Sequence, residues 1–184
     1  MIYLNNAATT WPKPEKVYEA VNYWTRNAGC TAGRSCDRGA DAAAELMYDC
    51  RCNIAKLFGI SSPERVIFTA NATSSINIAL KGLLKHGDRV VIGDMEHNSV
   101  LRPLAKMEAE GKISLKITGN IESEIKPGTA LVVLSHVSNV TGQLSHVREI
   151  GRLCRINRIP FMVDASQSAG RFPIDVIQDN ISIL

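Results

Sequence analysis

The sequence is short of aromatic residues, at 5% of 184, and its net charge is only +3. Bases are gripped by aromatic platforms and phosphate backbones by clustered cations. Here lysines and arginines are dispersed, which argues against nucleic acid as a partner. No apolar run is long enough to span a bilayer, and the opening Met1-Ile2-Tyr3-Leu4-Asn5-Asn6 turns polar too soon for a secretory signal. The five cysteines (Cys30, Cys36, Cys50, Cys52, Cys154) follow no zinc-ribbon spacing, and an odd number leaves at least one unpaired in any disulfide scheme. They read as reduced thiols of a cytoplasmic protein. Neither a His-x-x-x-His pair nor a Gly-Lys-Ser/Thr phosphate loop is present, so no metal and no Walker-type nucleotide site is expected. What remains, 45% hydrophobic and 21% charged, suits a soluble globular protein with a sizeable core.

Residues 3–12 carry Asn5, Asn6 and Pro12 and read as extended or looped. Helical spacing runs from near Pro14 through Val17, Ala20, Val21 and Trp24 to Gly29, and again from about Asp37 to Phe58, where Gly59 stops it. Between them, residues 27–39 have no apolar period and form a long loop of the kind that is more often functional than idle. Short apolar runs then alternate with helical ones. Strands are expected at Arg65–Thr69, Arg89–Gly93, Ile113–Thr118, Ala130–Ser135 and Ile159–Val163, the last ending in Asp164, and helices at Ile76–Leu84, Val100–Glu110 and Val147–Asn157. The fold class is α/β, a mainly parallel sheet flanked by helices. Ile181–Leu184 begins another apolar run with nothing to cover it, which reads as a truncation.

Ligand groups in such sheets stand just beyond the carboxyl ends of the strands. Asp164 and Gln167 follow one strand, and Ser138-Asn139-Val140-Thr141-Gly142 another. A carboxylate in low dielectric needs a cationic partner. The protonated ring nitrogen of pyridoxal phosphate is one ligand that supplies it. The turn Asn71-Ala72-Thr73 before a helix is a ready anion site, though Asn and Thr there also serve as plain N-caps. In Glu96-His97-Asn98-Ser99, Asn98 or Ser99 could cap the next helix with His97 a loop residue, or His97 could stack on a flat ring or move a proton. A metal held by His97, His136 and Asp164 is the weaker alternative. His86 and His146 sit in polar surroundings and read as solvated.

Taken together, Tyr3-Leu4-Asn5-Asn6-Ala7-Ala8-Thr9-Thr10, Thr69-Ala70-Asn71-Ala72-Thr73 with Asn77, Glu96-His97-Asn98-Ser99, Ser138-Asn139-Val140-Thr141-Gly142 and Val163-Asp164-Ala165-Ser166-Gln167 resemble the class V aminotransferase group, and within it the cysteine desulfurases. The resemblance implies the large, cofactor-binding domain of a fold-type I pyridoxal 5'-phosphate enzyme, with residues 1–184 its N-terminal part and the small domain absent. Ala72 and Thr73 would hold the phosphate, His97 would stack on the ring and could take part in proton transfer, Asp164 would pair with the ring nitrogen, and Asn139 and Gln167 would bond the 3' oxygen. The activity implied is removal of sulfur from L-cysteine, giving L-alanine and an enzyme persulfide for iron–sulfur cluster biogenesis or related sulfur transfer. The implied partners are a second copy of the chain and a sulfur-acceptor protein.

No lysine here matches the family's Ser/Thr-x-His-Lys segment, which follows the strand beginning at Ile181. The nucleophilic cysteine and the substrate-binding arginine also belong to that later part, so none of the five cysteines takes the nucleophile's role and the 184 residues alone should not turn over. A related class V enzyme, such as a selenocysteine lyase, a kynureninase-like hydrolase or an aminotransferase, and a non-catalytic subunit are the alternatives.

Overall fold

The computed structural model describes residues 2–27, 31–33 and 38–184. The chain forms two compact units, residues 1–56 with 61–66 and residues 57–60 with 67–184. The long loop expected at 27–39 lies largely outside the described residues. None of the described helices is long and apolar enough to cross a membrane.

In the first unit residues 3–12 form turns, with the Tyr3 hydroxyl donating to the Asn5 and Thr9 carbonyls and its ring edge-on to Trp11. Helix α1 spans Glu15–Asn27 and α2 begins at Arg38. α2 ends at Phe58, in the second unit, where Gly59 takes the left-handed conformation (φ 67°) that closes a helix without a Cβ penalty. The strand expected at Arg65–Thr69 does not form. Pro63–Arg65 is a 3-10 turn, and no β-ladder among the described residues includes 66–69, which leaves Ile67 76% exposed. Branched and aromatic residues favour a strand only when a neighbouring strand supplies the ladder.

The second unit is built on four parallel strands, β1 (Asp88–Gly93), β2 (Ile113–Thr118), β3 (Thr129–Ser135) and β4 (Phe161–Asp164), in the order β2-β1-β3-β4. Ile159 and Pro160, expected in the last strand, precede it. A parallel bridge from Met162 to Ile183 sets the apolar run at 181–184 beside β4. Period-two alternation divides each strand between two cores. Val91, Val132, Leu134, Phe161 and Val163 face Val147, Ile150 and Cys154 of α5 (Val147–Ile156). Val90, Ile92, Leu131, Val133 and Met162 face Ile76 and Leu80 of α3 (Ala72–Leu83) and Val100 and Leu104 of α4 (Asn98–Ala109). A sheet covered on both faces must be apolar on both, which is why the central strands read as unbroken Val-Ile-Leu runs. At the amino edge Arg89 is anchored by Glu124 (2.6 Å) and the Thr129 hydroxyl (2.6 Å), fixing the β2–β3 connection under β1.

α5 lies so close to the Asp179 backbone that a Cβ on Gly151 would come within 1.9 Å of the Asp179 carbonyl oxygen. Gly151→Ala should therefore cost about 2 kcal/mol or more through overpacking. Gly82→Ala, near the end of α3 with nothing within 4 Å of the added methyl, should stabilise by about 0.5 kcal/mol through helix propensity. Urea unfolding of both variants checks the contrast, and equal effects would mean that α5 is not in contact with that backbone.

Candidate cofactor site at the carboxyl edge of the sheet

Chain order β1, β2, β3 with spatial order β2-β1-β3 reverses the direction of winding between β1 and β3. In open α/β sheets the crevice at such a reversal is where ligands bind, because the two neighbouring connections leave in opposite directions. Four of the six expected site residues, His97, Asn139, Asp164 and Gln167, lie at or just beyond a strand's carboxyl end, and the turn before α3 supplies Ala72 and Thr73.

That turn is held by Asn71, whose backbone is extended (φ −170°) and whose side chain accepts from the Ser74 N–H (2.9 Å) and hydroxyl (3.1 Å). Thr69 locks its other side, its hydroxyl 2.6 Å from that of Ser75. Asn71 is therefore the N-cap, as one reading of the sequence had it. The cap uses the third N–H of the helix and leaves those of Ala72 and Thr73, both exposed, at its positive end, where helices bind anions.

After β1 the chain reaches Glu96 and His97. His97, not Asn98 or Ser99, caps α4. Its Nδ1 accepts from the Ser99 N–H (3.2 Å) and lies 2.7 Å from the Ser99 hydroxyl. An Nδ1 that accepts from an amide leaves the proton of the neutral ring on Nε2. The ring is exposed. Glu96 is the opposite case, 6% exposed, with Oε1 accepting from the Ser135 N–H (2.7 Å) and Oε2 bonded to the Ser135 hydroxyl (2.8 Å). Burial pushes its carboxyl up to about 7, with the nearby negative charges of Asp164 and Asp94 adding in the same direction and the Ser135 bonds opposing. No sequence signal marks it, since a glutamate beside a histidine in a polar stretch reads as solvated.

Beyond β3 the chain turns as a tight hairpin. The Ser138 N–H donates to the Gln143 carbonyl (3.0 Å), the Ser138 hydroxyl accepts from Val140 and Thr141 N–H groups (3.3 Å each), and Gly142 supplies the positive φ of 72°. Asn139 stands exposed on this turn. At the end of β4, Asp164 is half-buried, and its Oδ1 accepts from the Ser166 N–H (2.9 Å) and hydroxyl (2.5 Å). Gln167 follows at intermediate exposure. His136 turns inward instead, Nδ1 3.0 Å from the Ser168 hydroxyl, and burial pushes its imidazole below the ordinary value.

Thr73 and His97 share one cleft of about 730 Å3 between α3 and α4, together with Asn77 and Ser99. Asn139, Asp164 and Gln167 do not line that cleft. They stand at the ends of β3 and β4, whose last residues, Ser135 and Asp164, are register partners. Of the described cysteines, Cys154 is buried in the core and its thiol is pushed up to about 12 by desolvation, which makes it inert as a nucleophile.

The class-V aminotransferase family matches residues 2–184. The chain belongs to that family. It is 33% identical over its whole length to the cysteine desulfurase IscS of Photorhabdus laumondii and 35% identical to that of Glaesserella parasuis, covering 48% of each. Among solved structures it superposes on the apo cysteine desulfurase of Thermococcus onnurineus with a TM-score of 0.89 and 28% identity, over 98% of this chain and 48% of that one. SspA in complex with cysteine gives 0.87 and 28%, over 98% of this chain and 55% of that one. The class-V chain thus spans about half the length of the curated relatives it matches.

Glu96 makes one property of the folded chain pH-dependent. Because the folded protein holds this proton to about pH 7, whereas the ordinary glutamate value is 4.5, Glu96 gives its full stabilising share at low pH and loses it as pH rises through about 7. That difference corresponds to about 3 kcal/mol. Urea unfolding across this range should show wild type losing about that much stability relative to Glu96→Gln as pH rises, and parallel profiles would mean that the carboxyl is ionised throughout.

Proposed function

We propose that residues 1–184 are the N-terminal part of the pyridoxal 5'-phosphate-binding domain of a cysteine desulfurase, which takes sulfur from L-cysteine, leaves L-alanine and passes the sulfur on as an enzyme persulfide. The observation that carries this reading is Asp164. It is a half-buried carboxylate at the end of β4, held by two bonds from Ser166, in a chain that matches cysteine desulfurases along its whole length. A carboxylate held in place at the sheet edge is the partner that a protonated pyridine nitrogen requires.

The donor set fits the cofactor. The Ala72 and Thr73 N–H groups and the Thr73 hydroxyl, at the positive end of α3, suit a phosphate dianion. His97 offers a flat face, held by its capping bonds to Ser99. The amides of Asn139 and Gln167 can donate to the 3' oxygen. When bound, the cofactor supplies an electron sink for the substrate's α-carbon. The chain's own residues orient the ring and keep its nitrogen protonated. The lysine that anchors the cofactor and the cysteine that receives the sulfur are assigned to sequence beyond Leu184. The full enzyme is proposed to be a cytoplasmic homodimer that delivers sulfur to an acceptor protein for iron–sulfur cluster assembly, in keeping with the IscS name of its relatives.

The test uses the native polypeptide from its source. Supplied with pyridoxal phosphate, L-cysteine and a thiol reductant, it should release alanine and sulfide in equal amounts, and borohydride should fix a pyridoxyl group on a lysine outside residues 1–184. Asp164→Ala should lower the rate about a hundredfold, close to 3 kcal/mol of transition-state stabilisation. An unchanged rate would remove Asp164 from the site, and sulfide-free turnover of another amino acid would replace the substrate.

A further inference from the structure

Glu96 is the buried carboxyl at the carboxyl edge that the cofactor contacts above leave unused. It sits at the reversal of winding, between the end of β1 and the end of β3, and both of its oxygens are spent on Ser135. Space for it is made by Gly93, where an added Cβ would come within 2.9 Å of Glu96 Oε1. Ser135 is in turn the register partner of Asp164, and the His136 N–H donates to the Asp164 carbonyl (3.0 Å). Glu96 is thus joined to Asp164 through one residue of β3, and to His97 through one peptide bond.

Burial disfavours a charge on Glu96, and the negative charge of Asp164 adds in the same direction. Asp94, after β1, also disfavours a charge on Glu96. Glu122 and His146 line the same cavity of about 270 Å3 as Glu96, with His146 turned to Glu149 (3.7 Å).

We propose that Glu96 is a positioning residue for the cofactor ring: it ties the turn that carries His97 to the end of β3, and through its own charge it sets the potential at Asp164. The proposal rests on the reading of Asp164 as the ring-nitrogen partner. With Glu96 neutral the edge carries one negative charge fewer. When Glu96 ionises, that added charge strengthens the hold on a cationic ring nitrogen. Linkage is reciprocal, so bound cofactor lowers the proton affinity of Glu96 by the same factor.

The experiment measures the affinity of the native polypeptide for pyridoxal phosphate, by absorbance, between about pH 6 and about pH 8, in wild type and Glu96→Gln. The glutamine keeps an acceptor for the Ser135 N–H and does not titrate. The ratio of wild-type to variant affinity should rise roughly fivefold with pH, whereas a purely structural tie would change affinity equally at every pH. A carbon-13 titration of the Glu96 carboxyl in wild type, with and without pyridoxal phosphate, reads the same coupling without a substitution and should move to lower pH on binding. A constant ratio, or, should the variant fail to fold, an unmoved Glu96 titration in wild type that binds the cofactor, overturns the proposal alone. No binding by wild type at any pH overturns the reading of the site, and the proposal with it.

Discussion

Val90–Ile92 of β1 and Leu131–Val133 of β3 are essentially inaccessible, with a core on each side of the sheet. A polar side chain on either face would have to give up water without a partner, at a cost of several kcal/mol. That constraint confines the chemistry of the unit to the strand ends. There the backbone leaves its ladder, hydrogen-bonding groups become available, and residues distant in sequence meet because the strands that carry them are neighbours. His97, Asn139, Asp164 and Gln167 all belong to the strand ends and their turns, and three of them depend on local bonds that have nothing to do with a ligand: Ser99 for His97, Ser138 and Gly142 for the Asn139 hairpin, Ser166 for Asp164.

The regular elements were legible because the burial pattern and the sequence pattern are the same thing. β2 falls where its alternation puts it, and β1, β3 and α5 fall within about a residue of the apolar spacing. The segment 66–69 was misread for a physical reason. Val66, Ile67 and Phe68 have the composition of a strand, but a strand is a property of a pair, and composition says nothing about the partner. The start of α4 was misplaced because histidine is a poor prior for an N-cap, and its imidazole accepts from an N–H only once the ring is set in the right rotamer.

The site was legible in its residue types and illegible in its electrostatics. Asp164 could be picked out because it ends an apolar run. Glu96 could not, since its burial depends on Gly93 withholding a side chain and on Ser135 arriving from a strand 39 positions later in sequence. Family likeness proposes which residues would meet the cofactor, but the groups that hold those residues are visible only in three dimensions.

The placement of His97 as the N-cap of α4 entangles two kinds of loss. A phenylalanine at this position would preserve a flat ring and remove the acceptor for the Ser99 N–H, loosening the first turn of the helix. An asparagine would restore the cap and discard the ring. Neither replacement keeps both duties, so the tolerance of position 97 to change is narrower than either duty would impose alone. The side chain that starts the helix and the side chain that would meet the cofactor are one and the same, so disorder at that helix end would reach the site without any intervening residue to absorb it.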